Sequence, residues 1–88
     1  MRDIEIYREA LEIYGYISQT LMCFEEMSEL QKELCKNARG KENKEAIAEE
    51  IADVQIMLDQ MMALHDCHLL VAKYKRQKLK RLERNLKQ

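Results

Sequence analysis

The sequence predicts an all-α protein, a four-helix bundle, and its composition and length support this fold class. Charged residues make up 35% of the 88 residues and stand among many leucines, isoleucines and methionines, a composition typical of helices. The chain has no proline and only two glycines, Gly15 and Gly40, so it lacks the turn residues of a β-sandwich or barrel. A chain of this size buries only about 60% of its unfolded surface. We therefore expect one domain, residues 1–88, whose bundle is completed by oligomerisation.

The helix boundaries follow from breaks in an otherwise helical pattern. Gly15 is a plausible end for the first helix, since glycine is common at helix C-termini. Segment 37–43 is the most polar stretch and contains Gly40, which marks it as a loop. A weaker break falls near Asp66. The predicted helices are 3–14, 16–37, 44–65 and a fourth that continues to near the C-terminus.

The cysteines and the N-terminal segment indicate a cytoplasmic protein. The three cysteines, Cys23, Cys35 and Cys67, are an odd number without a CxxC pair, which argues against a disulfide framework and a zinc site. We expect them to be reduced and to act as small apolar residues. The N-terminus is too charged for a signal peptide, and no apolar run approaches about 18 residues, so we expect no membrane partner.

Two pairs of acidic residues recur at the edge of the predicted core. Glu26 and Glu29 are three residues apart on the second helix, and Glu50 and Asp53 repeat this spacing on the third. Each pair borders an apolar stripe, so the pairs would face each other if the helices pack antiparallel. Four clustered carboxylates repel unless they are protonated or neutralised, and a hard divalent cation would neutralise them. The alternative is that these acids pair with lysines on exposed helix faces. The stripes consist of Cys23, Met27, Leu30 and Leu34 on the second helix and Ile47, Ile51, Val54 and Leu58 on the third.

The segment Glu25-Glu26-Met27-Ser28-Glu29, followed after 20 residues by Glu50-Ile51-Ala52-Asp53, resembles the EExxE…ExxD signature of MazG-like pyrophosphohydrolases. The likeness extends over roughly residues 10–82. It implies an α-helical bundle that forms a homodimer or homotetramer and hydrolyses nucleoside triphosphates to the monophosphate and pyrophosphate. It also implies Mg²⁺, with Mn²⁺ as a possible substitute, on Glu26, Glu29, Glu50 and Asp53, which are therefore the predicted metal-binding and catalytic residues. The general base stays unassigned, with Glu25 and Glu49 as candidates or as ordinary exposed acids.

Charge is distributed unevenly along the chain. Residues 1–72 carry 15 acids and seven bases, a net charge of −8, whereas residues 73–88 carry one acid and eight bases, a net charge of +7. This asymmetry suggests self-complementarity or an anionic ligand. As part of a bundle, the basic segment would place Lys78 and Arg81 beside the substrate phosphates. As an isolated basic helix it would contact nucleic acid or a membrane surface, but no interleaved aromatic residues support nucleic-acid binding.

Gln19, the two histidines and Arg76 also bear on the predicted function. Gln19 lies on the same face as Glu26 and is either a contact to the base or sugar of the nucleotide or a packing residue. His65 and His68 are not part of any Glu-x-x-His motif, which argues against a di-iron carboxylate bundle. Arg76 stands where MazG-like proteins often carry an asparagine. This departure motivates an alternative function, a catalytically inactive helical module for interaction or dimerisation.

Overall fold

The computed structural model describes residues 1–88 and consists of four helices without any strand, which confirms the predicted all-α class. The second helix ends one residue later than predicted, at Ala38, and the loop is correspondingly shorter. No helix combines the length and the apolar character that crossing a lipid bilayer requires. The helices are α1 (Asp3–Tyr14), α2 (Tyr16–Ala38), α3 (Lys44–His65) and α4 (His68–Leu86).

Helices α2 and α3 form an antiparallel hairpin that is the centre of the molecule. Near the loop, Asn43 Nδ2 donates hydrogen bonds of 2.9 Å to both the backbone carbonyl and the Oε1 of Glu33. At the far end, the Thr20 hydroxyl lies 3.7 Å from the Met61 sulfur. The residue numbers of the contacting partners thus fall along α2 as they rise along α3, so the two helices run antiparallel. The antiparallel packing on which the predicted acid site depended is present.

Helix α1 packs against both members of this hairpin. It is joined to α2 by Gly15 alone, which has a φ of +91° that a residue with a side chain would adopt only with strain. The hydroxyl of Tyr7 donates a 3.1 Å hydrogen bond to Asp59 Oδ2, which ties the middle of α1 to α3. The short joint and this hydrogen bond fix where α1 lies on the hairpin.

The buried core is small and half polar. Its apolar members are Cys23, Val54 and Met57, and no side chain in the chain is completely enclosed. Burial raises the pKa of the Cys23 thiol, so this cysteine stays neutral and packs as an apolar residue. The expectation that all three cysteines are used in this way is wrong for Cys35, which is exposed. The buried polar members are Gln19, Asn43 and Gln60.

The predicted apolar stripes are only partly directed into this core. Leu34 on α2 and both Ile51 and Leu58 on α3 are exposed, contrary to the prediction. Helix α3 is apolar around more than one face, and the face that it turns toward the core includes Val54, as predicted, together with Met57, which is not part of the predicted stripe. The second apolar face of α3 therefore stays uncovered within one chain.

Helix α4 stands apart from the other three. It contacts α3 alone, and every residue from His68 onward is exposed. The break before it is made by Asp66, which adopts a left-handed conformation with φ of +48°, while the Cys67 N–H donates to the Met62 carbonyl at 3.2 Å. Aspartate enters this region more readily than most residues, which explains a helix end without glycine. The radius of gyration is 15.8 Å, compared with about 12 Å expected for a compact chain of this length.

Candidate metal centre

Three of the four predicted ligands come together on the α2–α3 seam. Glu26 projects from α2, and Glu50 and Asp53 project from the facing side of α3, one helical turn apart. One carboxylate oxygen from each of the three lies within 4.8 Å of the other two. Oxygens around Mg²⁺ are about 3.0 Å apart when adjacent and about 4.2 Å apart when opposite, so the three carboxylates lie near enough to share one cation.

The environment of Glu26 and Glu50 opposes the ionisation of their carboxyl groups. Burial, followed by the charge of Asp53, raises the pKa of Glu26. Burial, followed by the charges of Asp53 and Glu29, raises the pKa of Glu50. Both shifts have the direction expected when carboxylates share a partly buried space without a counter-ion.

No basic side chain compensates this cluster. The three ion pairs of the chain all join residues three apart, one at the start of α1 and two on α2, and none includes Glu26, Glu50 or Asp53. The Oε2 atom of Glu50 is enclosed and has no hydrogen-bond partner. A buried acceptor in this state costs free energy that a cation would recover. The donor set is all oxygen, which suits a hard cation such as Mg²⁺, Mn²⁺ or Ca²⁺ rather than a softer metal.

Glu29, the fourth predicted ligand, lies at the rim of this cluster. It is exposed, and its Oε2 is 3.9 Å from the Lys32 ammonium. Its charge nevertheless acts on both Glu26 and Glu50, so it lies within electrostatic range of the three acids. The two candidate bases, Glu25 and Glu49, are both exposed.

Glu33 provides a contrast between a satisfied acid and the unsatisfied cluster. It lies two turns along α2 from Glu26, and it accepts hydrogen bonds from Asn43 Nδ2 and from the Lys36 ammonium at 3.0 Å. These bonds lower the pKa of Glu33. The sequence analysis did not single out Asn43, although an asparagine before a helix is a recognisable N-terminal signal. Its side chain reaches across the hairpin and makes no cap hydrogen bond to α3.

The remaining predicted site residues lie away from the cluster. Gln19 is buried on α2, two turns before Glu26, and its side chain makes no hydrogen bond. Across the seam lies a residue that sequence reasoning missed, the buried Gln60, whose Oε1 also has no partner. Lys78 and Arg81 are exposed on α4 and make no ion pair within the chain.

Comparison with known proteins adds no relative to these observations. The chain matches no family model, no curated protein and no solved structure. The acid cluster and the sequence motifs that form it are therefore the features from which a function is inferred.

The raised pKa values predict that the metal-free protein loses stability as pH rises. Glu26 and Glu50 hold their protons more tightly in the folded chain, so their contribution to the free energy of unfolding should be fully present below about pH 4.3, the ordinary carboxyl pKa. It should fall as pH rises through their raised folded values. Glu33 acts in the opposite sense, since its stabilisation is present above the ordinary carboxyl pKa and is lost as pH falls through its lowered value.

Urea unfolding in the presence of a chelator, from pH 5 to pH 8, measures this dependence. The double variant Glu26→Gln/Glu50→Gln should flatten the curve, and the exposed Glu12→Gln on α1 should not. A wild-type protein that becomes more stable across this range would contradict the assignment of the cluster as electrostatically unsatisfied.

Proposed function

We propose that the protein is a magnesium-dependent nucleoside triphosphate pyrophosphohydrolase, which cleaves the α–β phosphoanhydride to give a nucleoside monophosphate and pyrophosphate. The observation that supports this most directly is the uncompensated cluster of Glu26, Glu50 and Asp53. The resemblance of both acidic motifs to the MazG-like signature connects this cluster to phosphoanhydride chemistry.

In this proposal Glu26, Glu50 and Asp53 hold the cation, and Glu29 joins them from the rim. When bound, Mg²⁺ would supply positive charge that offsets the charge of the triphosphate and of the leaving pyrophosphate. By holding the cation on the α2–α3 seam, the carboxylates would set where the triphosphate binds on the hairpin. The partly buried position of Glu26 and Glu50 limits the water around the reacting phosphate and strengthens these electrostatic interactions.

The attacking water needs an acceptor for its proton. A carboxylate that is not committed to metal can serve, and the pKa of such a group should lie near the working pH. The candidates are the exposed Glu25 and Glu49, which are adjacent in sequence to Glu26 and Glu50. We assign the base to neither, because no hydrogen bond orients either of them toward the cluster. For Gln19 two roles stay open, a contact to the base or sugar of the nucleotide and packing in the core. Its burial favours packing.

The test is release of pyrophosphate from a panel of common and modified ribo- and deoxyribonucleoside triphosphates, with Mg²⁺ and with Mn²⁺. We expect turnover of at least one member of the panel and none after chelation. Each product should be identified, since the proposal requires the monophosphate and pyrophosphate rather than the diphosphate and phosphate. Absence of turnover with either metal would favour the alternative, an inactive helical interaction module.

A further inference from the structure

Helix α4 carries a large positive charge that nothing in its own chain neutralises. Segment 73–88 has eight bases and one acid, and none of these bases forms an ion pair. The only polar contact of an α4 base is the Lys73 ammonium, 5.8 Å from the centroid of the neighbouring Tyr74 ring. The remainder of the chain has a net charge of −8, and its acid cluster has no basic neighbour. Two complementary, unpaired charge groups are thus present on separate parts of one chain.

Four of the exposed apolar residues of α4 lie on one side of the helix. They line a shallow open groove together with two lysines, and all six residues lie at helical spacing. Lys78 lies between Tyr74 and Leu82 within this apolar surface rather than on the opposite, polar side. The six residues are Val71, Tyr74, Lys75, Lys78, Leu79 and Leu82.

A surface that covers this groove must therefore offer apolar contact and negative charge at the same time. Buried apolar side chains stabilise the contact, whereas a lysine covered without an acidic partner is costly. A second α4 would bring two strongly basic segments together and is disfavoured by repulsion. The acidic part of another copy, residues 1–72, satisfies both requirements. It exposes apolar residues close to its acids. Met22 precedes Glu26 by four positions on α2, and Ile56 follows Asp53 by three positions on α3.

We infer that α4 docks on the acidic α1–α3 unit of a second copy of this chain and brings Lys78 and Arg81 to the rim of that copy's Glu26, Glu50 and Asp53 cluster. In a two-fold dimer each subunit docks its α4 on the other, so each site is completed by the partner subunit. The role of these two bases as contacts to substrate phosphate rests on the proposed function. The docking of α4 on the acidic unit does not.

Sedimentation equilibrium tests the docking without any substrate. The wild-type chain should self-associate at low salt, and added salt should weaken the association because it screens attraction between opposite charges. Contact between two α4 helices would show the reverse dependence, since salt would screen their repulsion. Leu82→Asp should weaken association by at least about tenfold, because it introduces a charge into the covered groove. The same substitution at Leu69, which is on α4 outside the groove, should have little effect.

A mixture of two impaired chains tests whether the bases act on the partner's site. One chain carries Glu50→Gln, and the other carries Lys78→Ala and Arg81→Ala. After the two are unfolded together and refolded, the mixed dimer should contain one intact site, so about a quarter of the wild-type sites should recover. The control mixture of Glu50→Gln with Asp53→Asn removes the acids from both chains and should recover none.

The outcomes separate the two proposals. A monomeric wild type at low salt, or association that strengthens with salt, overturns the docking. An active, dimeric wild type whose acid-deficient and base-deficient chains do not complement each other overturns delivery of the bases to the partner's site. If the wild type hydrolyses no nucleotide, the proposed function fails, and sedimentation alone still decides the docking.

Discussion

Replacing Glu50 by glutamine is expected to reduce nucleotide turnover by at least about 100-fold, since even the loss of a residue that supports a metal ligand costs 10–100-fold. The substitution keeps the size of the side chain but removes one anionic ligand from the cluster. It should also make the metal-free protein more stable at neutral pH, because the charge of Glu50 is opposed by burial and by Asp53 and Glu29. Lower activity together with higher stability would distinguish a binding residue from a residue needed for folding.

Steady-state pyrophosphate release and chelator-treated urea unfolding measure these two effects on the same preparation. Glu12→Gln is the matched control, since it removes an exposed acid that belongs to no cluster. We expect it to leave turnover unchanged and stability within about 0.5 kcal/mol of wild type. Unimpaired turnover in Glu50→Gln would remove the basis of the proposed metal site.

Replacing Met57 by alanine is expected to lower the free energy of unfolding by about 2–5 kcal/mol, the range for buried methionine or leucine truncations. Met57 is 5% exposed and is one of only three buried apolar residues. The total stability of a chain of this length is about 4–13 kcal/mol. The substitution should therefore remove a large fraction of it, and part of the population should be unfolded at 37 °C.

Urea or thermal unfolding followed by circular dichroism measures the loss. The control is Leu69→Ala, because Leu69 is 88% exposed and buries little surface. Its effect should stay within about 0.5 kcal/mol. If Met57→Ala costs no more than this control, the small core around α2 and α3 is not what holds the fold together.

The helices were predictable because they depend on local signals. Gly15 and the polar segment around Gly40 interrupt an otherwise continuous helical pattern, and the structure breaks at both. The choice of buried face was less predictable. Helix α3 offers apolar residues on two faces, and periodicity alone gave Ile51 and Leu58 the same weight as Val54. Which face a helix buries depends on its neighbours, and those are set by tertiary packing.

The arrangement of the acids was also only partly predictable. Residues three apart on a helix differ by about 60° in direction, so one member of a pair can face the seam while the other faces solvent. This is the relation between Glu26 and Glu29. Gln19 could be singled out by the face that it shares with Glu26, whereas the buried Gln60 had no sequence signal that distinguished it from exposed glutamines. Their burial follows from the close approach of α2 and α3.

The single-residue joint at Gly15 constrains how the length of this chain can change. Inserting one residue there would rotate α1 by about 100° relative to α2 and would carry the Tyr7 hydroxyl away from Asp59. The loop at 39–42 is exposed along its whole length, so extra residues there would extend into solvent. Insertions and deletions are thus tolerated at one end of α2 and excluded at the other. An inserted tag, or the new termini of a circular permutant, should accordingly be placed within this loop.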